Sequence, residues 1–201
     1  MSREIEIKAR ISDPGEIRRK LFNQAVLNGT FEKQDIYWIK TNGENDVTAS
    51  NQYGIRVRRE KFIYTNGNIR DTAYVTWKDK EIRGNMEFND EREFEVSSAA
   101  LFEEFLHNLG FKKKTTKLKK GTAHTWGNIT AEVAEIEKLG WFVELEIVMN
   151  NKDEKLEQAS GENLLNTLDM LGIERTDVET RSYSQMLAEL PAGRKKKNVS
   201  K

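Results

Sequence analysis

Charged and apolar residues alternate without a break from Glu4 to Ile11. Successive side chains of a strand point to opposite faces, so Glu4, Glu6, Lys8 and Arg10 share one face and Ile5, Ile7, Ala9 and Ile11 the other. This predicts a first strand over residues 3–11, and the same period predicts others over 31–40, 54–60, 70–79, 87–96, 111–120, 123–135 and 141–149. Asp35 and Tyr37 fall opposite Ile36 and Trp38, while Tyr74, Thr76 and Lys78 fall opposite Ala73, Val75 and Trp77. Helical spacing takes over in four places. Asp13-Pro14 supplies an N-cap and a first-turn proline for a helix reaching about Leu27, with Ile17, Leu21 and Phe22 as its stripe. Ser97 or Ser98 caps a second helix, whose predicted buried stripe is Leu101, Phe102, Phe105, Leu106 and Leu109. Residues 153–171 carry Leu156, Leu164, Leu165, Leu168 and Leu171, and residues 180–190 carry Tyr183, Met186, Leu187 and Leu190. Asn28-Gly29, Asn66-Gly67, Gly84-Asn85 and Gly110 are the predicted breaks, and 41–52 reads as a polar loop.

Charge changes the meaning of these strands. Like charges stand side by side on one face at Arg56/Arg58, Glu91/Glu93/Glu95, Lys117/Lys119 and Glu144/Glu146, as at Glu4/Glu6. A single such strand is an ordinary solvated face. Five of them suggest a sheet curled around a polar interior, with helices covering its apolar outer side. Each half of the chain holds one glutamate pair and one basic pair, in opposite order, and two such halves can close one barrel without sheet edges.

The totals narrow the function classes. Lys+Arg and Asp+Glu balance at 33 each, so the overall field draws in neither nucleic acid nor acidic membrane. The 201 residues read as one domain over 1–190 followed by a basic flexible tail, 191–201. The absence of cysteine excludes disulfides, thiol catalysis and thiolate metal sites. No apolar run approaches the ~20 residues of a bilayer crossing, and the expected location is the cytoplasm. Neither GxGxxG nor GxxxxGK[ST] occurs. His107 and His124 read as structural or exposed, and Trp38, Trp77, Trp126 and Trp141 mostly as core. Lys112, Lys113, Lys114 and Lys120 are expected on the solvent side.

Four carboxylates in one cavity, Glu4, Glu6, Glu144 and Glu146, need compensation, because two of them ~4 Å apart repel by about 4 kcal/mol at an effective dielectric near 20. Either some protonate or divalent cations neutralise them, and oxygen-only ligation suits Mg²⁺ or Mn²⁺. Lys8, Arg56, Arg58, Lys78, Lys117 and Lys119 would then hold an anion of comparable charge, such as a triphosphate with its metals. Glu93 and Glu95 are candidates for steadying those cations or assisting the metal.

Glu4-x-Glu6-x-Lys8, Arg56-x-Arg58, Lys78, Glu93/Glu95, Lys117-x-Lys119 and Leu139-Gly140-Trp141-Phe142-Val143-Glu144-Leu145-Glu146 occur in an order that resembles the CYTH superfamily, the triphosphate tunnel metalloenzymes. Ser182-Tyr183-x-x-Met186-Leu187 is similar to its closing helix. The resemblance covers about residues 3–190. It implies an α+β fold, a closed antiparallel eight-stranded barrel with helices outside. It implies Mg²⁺ or Mn²⁺ on Glu4, Glu6, Glu144 and Glu146, a triphosphate gripped by the six cations, and Lys8, Arg58 and Lys78 as the candidates for catalysis. Lys119 stands where the family usually has Arg, and Ala134 where it often has Asp, with Glu132 or Glu135 as substitutes. The layout looks closest to class IV adenylyl cyclases, which convert ATP to cyclic AMP and pyrophosphate. The alternatives are a triphosphatase acting on inorganic triphosphate, thiamine triphosphate or a nucleotide, and a non-catalytic polyphosphate- or nucleotide-binding module. The expected partner is such a small molecule, with no specific nucleic acid and no membrane; a homodimer is compatible with the sequence.

Overall fold

The computed structural model describes residues 2–40, 54–150 and 152–191; the polar stretch 41–52 and the tail beyond Pro191 lie outside them. Eight strands form the body: β1 (Ser2–Arg10), β2 (Val26–Lys40), β3 (Ile55–Tyr64), β4 (Ile69–Arg83), β5 (Met86–Val96), β6 (Phe111–Trp126), β7 (Ile129–Ile136) and β8 (Gly140–Met149). They close into an antiparallel barrel in the order β1-β5-β4-β3-β2-β6-β7-β8. Outside lie α1 (Pro14–Phe22), α2 (Ala99–Asn108), α3 (Glu154–Met170) and α4 (Tyr183–Glu189). The fold is thus the α+β eight-stranded barrel that the charge pattern and the family resemblance led us to expect.

The outward residues of β1, β7 and β8 make the main core. Ile5, Ile7, Val133, Val143, Leu145 and Ile147 pack beneath Ile17 and Leu21 of α1 and Leu164 and Leu168 of α3. Asp13, Ser98 and Asp153 cap α1, α2 and α3, each accepting from a backbone N–H of the first turn; a cap of this kind contributes about 0.5–2 kcal/mol. Arg3 lies over the Phe88 ring and donates to Glu157 at 3.0 Å, which ties α3 to the wall.

The elements differ from the expectation where glycine was read as a break. The first helix stops at Phe22, and β2 begins at Val26, so Asn28-Gly29 lies within a strand. Gly29 sits at a register shift against β6, and a Cβ there would stand 2.2 Å from the Ile63 carbonyl oxygen. Gly121 is likewise internal to β6, where a Cβ would stand 2.3 Å from the Val133 carbonyl oxygen. These glycines admit close backbone approach at the barrel wall rather than turning the chain. The expected strand 123–135 is therefore the end of β6, a turn and β7. In α2 only Leu106 of the predicted stripe is buried, and Leu101, Phe105 and Leu109 are exposed. A helix on a convex wall touches it along one narrow strip.

Candidate active site

Alternation along each strand sends one set of side chains into the lumen. Register sets their neighbours. Glu6 stands opposite Glu146 across β1 and β8, Lys8 opposite Glu144, and Glu132 of β7 opposite Glu144. On the other flank Glu6 faces Glu87, and Lys78 of β4 faces Glu91. Asp35 of β2 stands between Arg58 and Lys117. The two glutamate pairs, Glu4/Glu6 and Glu144/Glu146, come from opposite ends of the chain and lie on adjacent strands.

Most cations here already have a carboxylate. Arg58 donates through Nε and Nη2 to Asp35 at 2.7 and 2.9 Å, and Lys117 reaches the same carboxylate at 2.9 Å. Arg56 donates to Glu91 at 3.3 Å and Glu93 at 3.1 Å. Lys78 pairs with Glu4 at 2.7 Å and with Glu91. Lys119 pairs with Glu132 at 2.6 Å and with Glu144, Lys33 with Glu132 at 2.7 Å, and Lys8 and Lys80 with Glu87. Glu6 and Glu146 differ from all of these: neither has a hydrogen bond or an ion pair among the described residues.

Protonation follows the pairing. Burial pushes the Glu4 carboxyl up to about 8, against the pull of Lys78 and with Glu146 and Glu91 adding to the rise. Burial and the neighbouring Glu6 push Glu146 up to about 7. Glu6 is also raised, by burial and by Glu144 and Glu87. Burial works the same way on Glu91 and Glu144, but Lys78 and Arg56 hold the first, and Lys119 the second, down to about 2. Asp35 is fully buried and still held well below the usual carboxylate range by Arg58 and Lys117.

Of the sequence candidates, Glu4, Glu6, Lys8, Arg56, Arg58, Lys78, Lys117, Lys119, Glu144 and Glu146 converge on the lumen, with Glu93 at its margin on Arg56 and Thr76. Glu95 stands apart: it pairs with Arg70, and both are exposed. Glu132 is the acidic residue of β7 that turns inward, whereas Glu135 is exposed. Asp35, Glu87, Glu91, Lys33 and Lys80 belong to the same network but were not among the site candidates. For Glu87, Glu91 and Lys80 the signal was parity, since each lies an even number of positions from a candidate on its own strand; β2 carried no candidate, so Asp35 and Lys33 had no such signal.

No group of three or more His, Asp or Glu among the described residues is already gathered as a metal would gather it. The donor set nevertheless fits a hard divalent cation. Glu4, Glu6 and Glu146 offer carboxylate oxygens on adjacent strands, and two of them carry no cation among the described residues.

The barrel and its opposed charged rows define a protein class, a closed antiparallel barrel with an ionic lumen. The CYTH domain model matches residues 2–183, and the chain belongs to that family. Its members are metal-dependent adenylyl cyclases or triphosphatases. A Methanocaldococcus jannaschii protein, provisionally named an adenylate cyclase, is 26% identical over 91% of this chain and 97% of its own length. The PH1819 protein of Pyrococcus horikoshii OT3 superposes with a TM-score of 0.78 at 26% identity, over 92% of this chain and 98% of that one. A Hippeastrum protein, provisionally named an adenylyl cyclase and described as having a dominant triphosphatase activity, shares the fold with a TM-score of 0.62 at 15% identity, over 94% of each chain. No helix among the described residues is long and apolar enough to cross a membrane.

The Asp35 clamp gives a pH prediction. A depressed carboxylate stabilises the fold at every pH above its unfolded value, and that contribution is lost as pH falls through the folded value. Asp35→Asn strands Arg58 and Lys117 together, so it should cost roughly 3–5 kcal/mol at pH 7. The gap to the wild type should begin to narrow below about pH 4, where the unfolded chain takes up a proton at Asp35, and should close only at lower pH, where the folded carboxylate protonates as well. Urea unfolding across pH 2–8 measures this. A gap constant with pH would mean that Asp35 acts through packing alone.

Proposed function

We propose that this protein is a divalent-metal-dependent enzyme that binds a triphosphate in the barrel lumen and cleaves it. The observation that carries this reading is the Glu6–Glu146 pair, directly opposed inside a lumen otherwise filled with matched charges and, among the described residues, without a cation on either. Binding an anion gains nothing from unmatched carboxylates, which argues against a module that only binds polyphosphate. Placing Mg²⁺ or Mn²⁺ on Glu4, Glu6, Glu144 and Glu146 would convert this local group of carboxylates into a site for a polyanion. When bound, the metal would supply charge neutralisation and Lewis acidity.

The chain's own cations do the rest. Arg56 and Arg58 offer planar forks for phosphate oxygens, and Lys8, Lys78, Lys117 and Lys119 offer point charges. Every one of them is held by a carboxylate, so a bound substrate would exchange one set of anionic partners for another. Lys8, Arg58 and Lys78 are the cations proposed to stabilise charge on the phosphorus centre and leaving group.

Two reactions use this grip. Cyclisation of ATP, with the ribose 3′-hydroxyl attacking the α-phosphorus, comes first because the archaeal relative so named aligns over nearly the whole chain. Hydrolysis of a triphosphate is the second reading. Phe31 and Phe62 pack together, as do Phe142 and Tyr183, so these four rings are not open to a nucleobase, while Tyr37 and Tyr74 on the same strand faces stand outside the two clusters. Parallel incubation with ATP, inorganic triphosphate and thiamine triphosphate decides between them, with cyclic AMP, pyrophosphate and orthophosphate each assayed. Turnover should vanish in EDTA and return with Mg²⁺ or Mn²⁺. Full activity in chelator would refute the metal-dependent scheme.

A further inference from the structure

Helix α4 and the segment before it bring one more side chain into the lumen. Pairing of β1 with β5 ends at Glu6, and beyond it the free edge of β1 is taken by the chain that precedes α4. Ala9 bridges Val178, and the Glu179 N–H donates to the Lys8 carbonyl at 2.8 Å. Ser182 then caps α4 through a reciprocal pair with Gln185. These contacts fix the first residue of the helix, Tyr183, in one place.

Tyr183 is 7% exposed. Its ring meets Phe142 edge-on, with centroids 5.1 Å apart and planes at 88°. The ammonium groups of Lys117 and Lys8 lie 4.9 and 5.7 Å from the ring centroid. The hydroxyl is fully buried and feels the charge of Glu144, yet it makes no hydrogen bond of good geometry with any described residue. Glu144 is itself engaged by Lys119. A phenylalanine would keep every ring contact without burying an unpartnered hydroxyl, which is a costly arrangement. The polar atom is therefore placed for a group that enters the lumen. A phosphate oxygen accepts and cannot donate, and the two ammonium groups beside the ring would attract it.

We propose that Tyr183 is a further substrate-binding residue, whose hydroxyl donates to a phosphate oxygen of the bound triphosphate between Lys8 and Lys117. This rests on the triphosphate reading of the lumen. It gives the closing helix a part in recognition as well as in packing.

The test compares wild type with Tyr183→Phe. Calorimetry with the hydrolysis-resistant probe imidotriphosphate and Mg²⁺ gives affinity, initial rates on the substrate found above give KM and kcat, and a thermal melt reports the fold. We expect Kd and KM to rise about tenfold, kcat to stay within about twofold, and the melting temperature to hold or rise, the loss of one hydrogen bond to a charged group. Equal affinity in the two proteins would overturn the proposal while leaving the lumenal reading intact. A lowered melting temperature with unchanged KM would assign the hydroxyl to Glu144 as a structural bond and overturn it as well. A wild type that does not bind imidotriphosphate would overturn both readings.

Discussion

Glu146→Gln will cut turnover at least about a thousandfold, ~4 kcal/mol of lost transition-state stabilisation, and will at the same time make the metal-free protein more stable. The two effects have opposite signs because the carboxylate has one use and one cost. The use we propose for it is as a metal ligand beside Glu6, where the amide would be a neutral and weaker donor. Its cost is a half-buried charge facing another carboxylate with no cation among the described residues on either. Removing an unpaired buried charge recovers about 1–3 kcal/mol, which for a chain of this size is a rise of roughly 2–10 °C in melting temperature. Glu6→Gln should behave alike. A steady-state assay and a melt in EDTA measure the pair of effects. Wild-type turnover would remove the metal from this place, and a fall in melting temperature would make Glu146 a structural residue.

The lumen was legible in the sequence because strand parity is a strict rule. Once Glu4 and Glu6 share a face, so must Lys8, and the same holds for Arg56 with Arg58 and Lys117 with Lys119. That these faces turn inward followed from their number and from the apolar residues opposite, which needed helices over them. Parity also reached residues that were not proposed. Glu87 and Glu91 follow from Glu93, and Lys80 follows from Lys78, but nothing in one strand says how far the lumen extends along it. Glu95 marks that limit, since it obeys the parity of Glu93 and yet pairs with Arg70 in solvent.

Pairing across strands was not legible. Asp35 lies one strand from both Arg58 and Lys117, and only the register of β2 with β3 and β6 reveals a three-charge clamp. The register depends on backbone contacts such as those at Gly121 and at Gly29, the second of which looks like a break in sequence. The family resemblance left the acidic position of β7 open between Glu132 and Glu135. Register shows that Glu132 is the one that turns inward, because it shares the face of Thr130 opposite Glu146.

Arg58→Ala should weaken triphosphate binding about a hundredfold and also lower stability, and the two losses can be separated. In the free protein the guanidinium makes two bonds to Asp35, which has no exposed surface. Truncation leaves that carboxylate to Lys117 alone, at a cost of roughly 3–5 kcal/mol. Adding Asp35→Asn removes the stranded charge, so the double variant should recover much of the lost stability. It should not recover binding, because the planar fork offered to phosphate is still gone. Arg58→Lys, which keeps the charge but not the fork, should fall between wild type and Ala in affinity. Calorimetry with imidotriphosphate and urea unfolding on the four members of the cycle supply both readouts. Binding that returns together with stability in the double variant would reduce Arg58 to the partner of Asp35 and take it out of the substrate site.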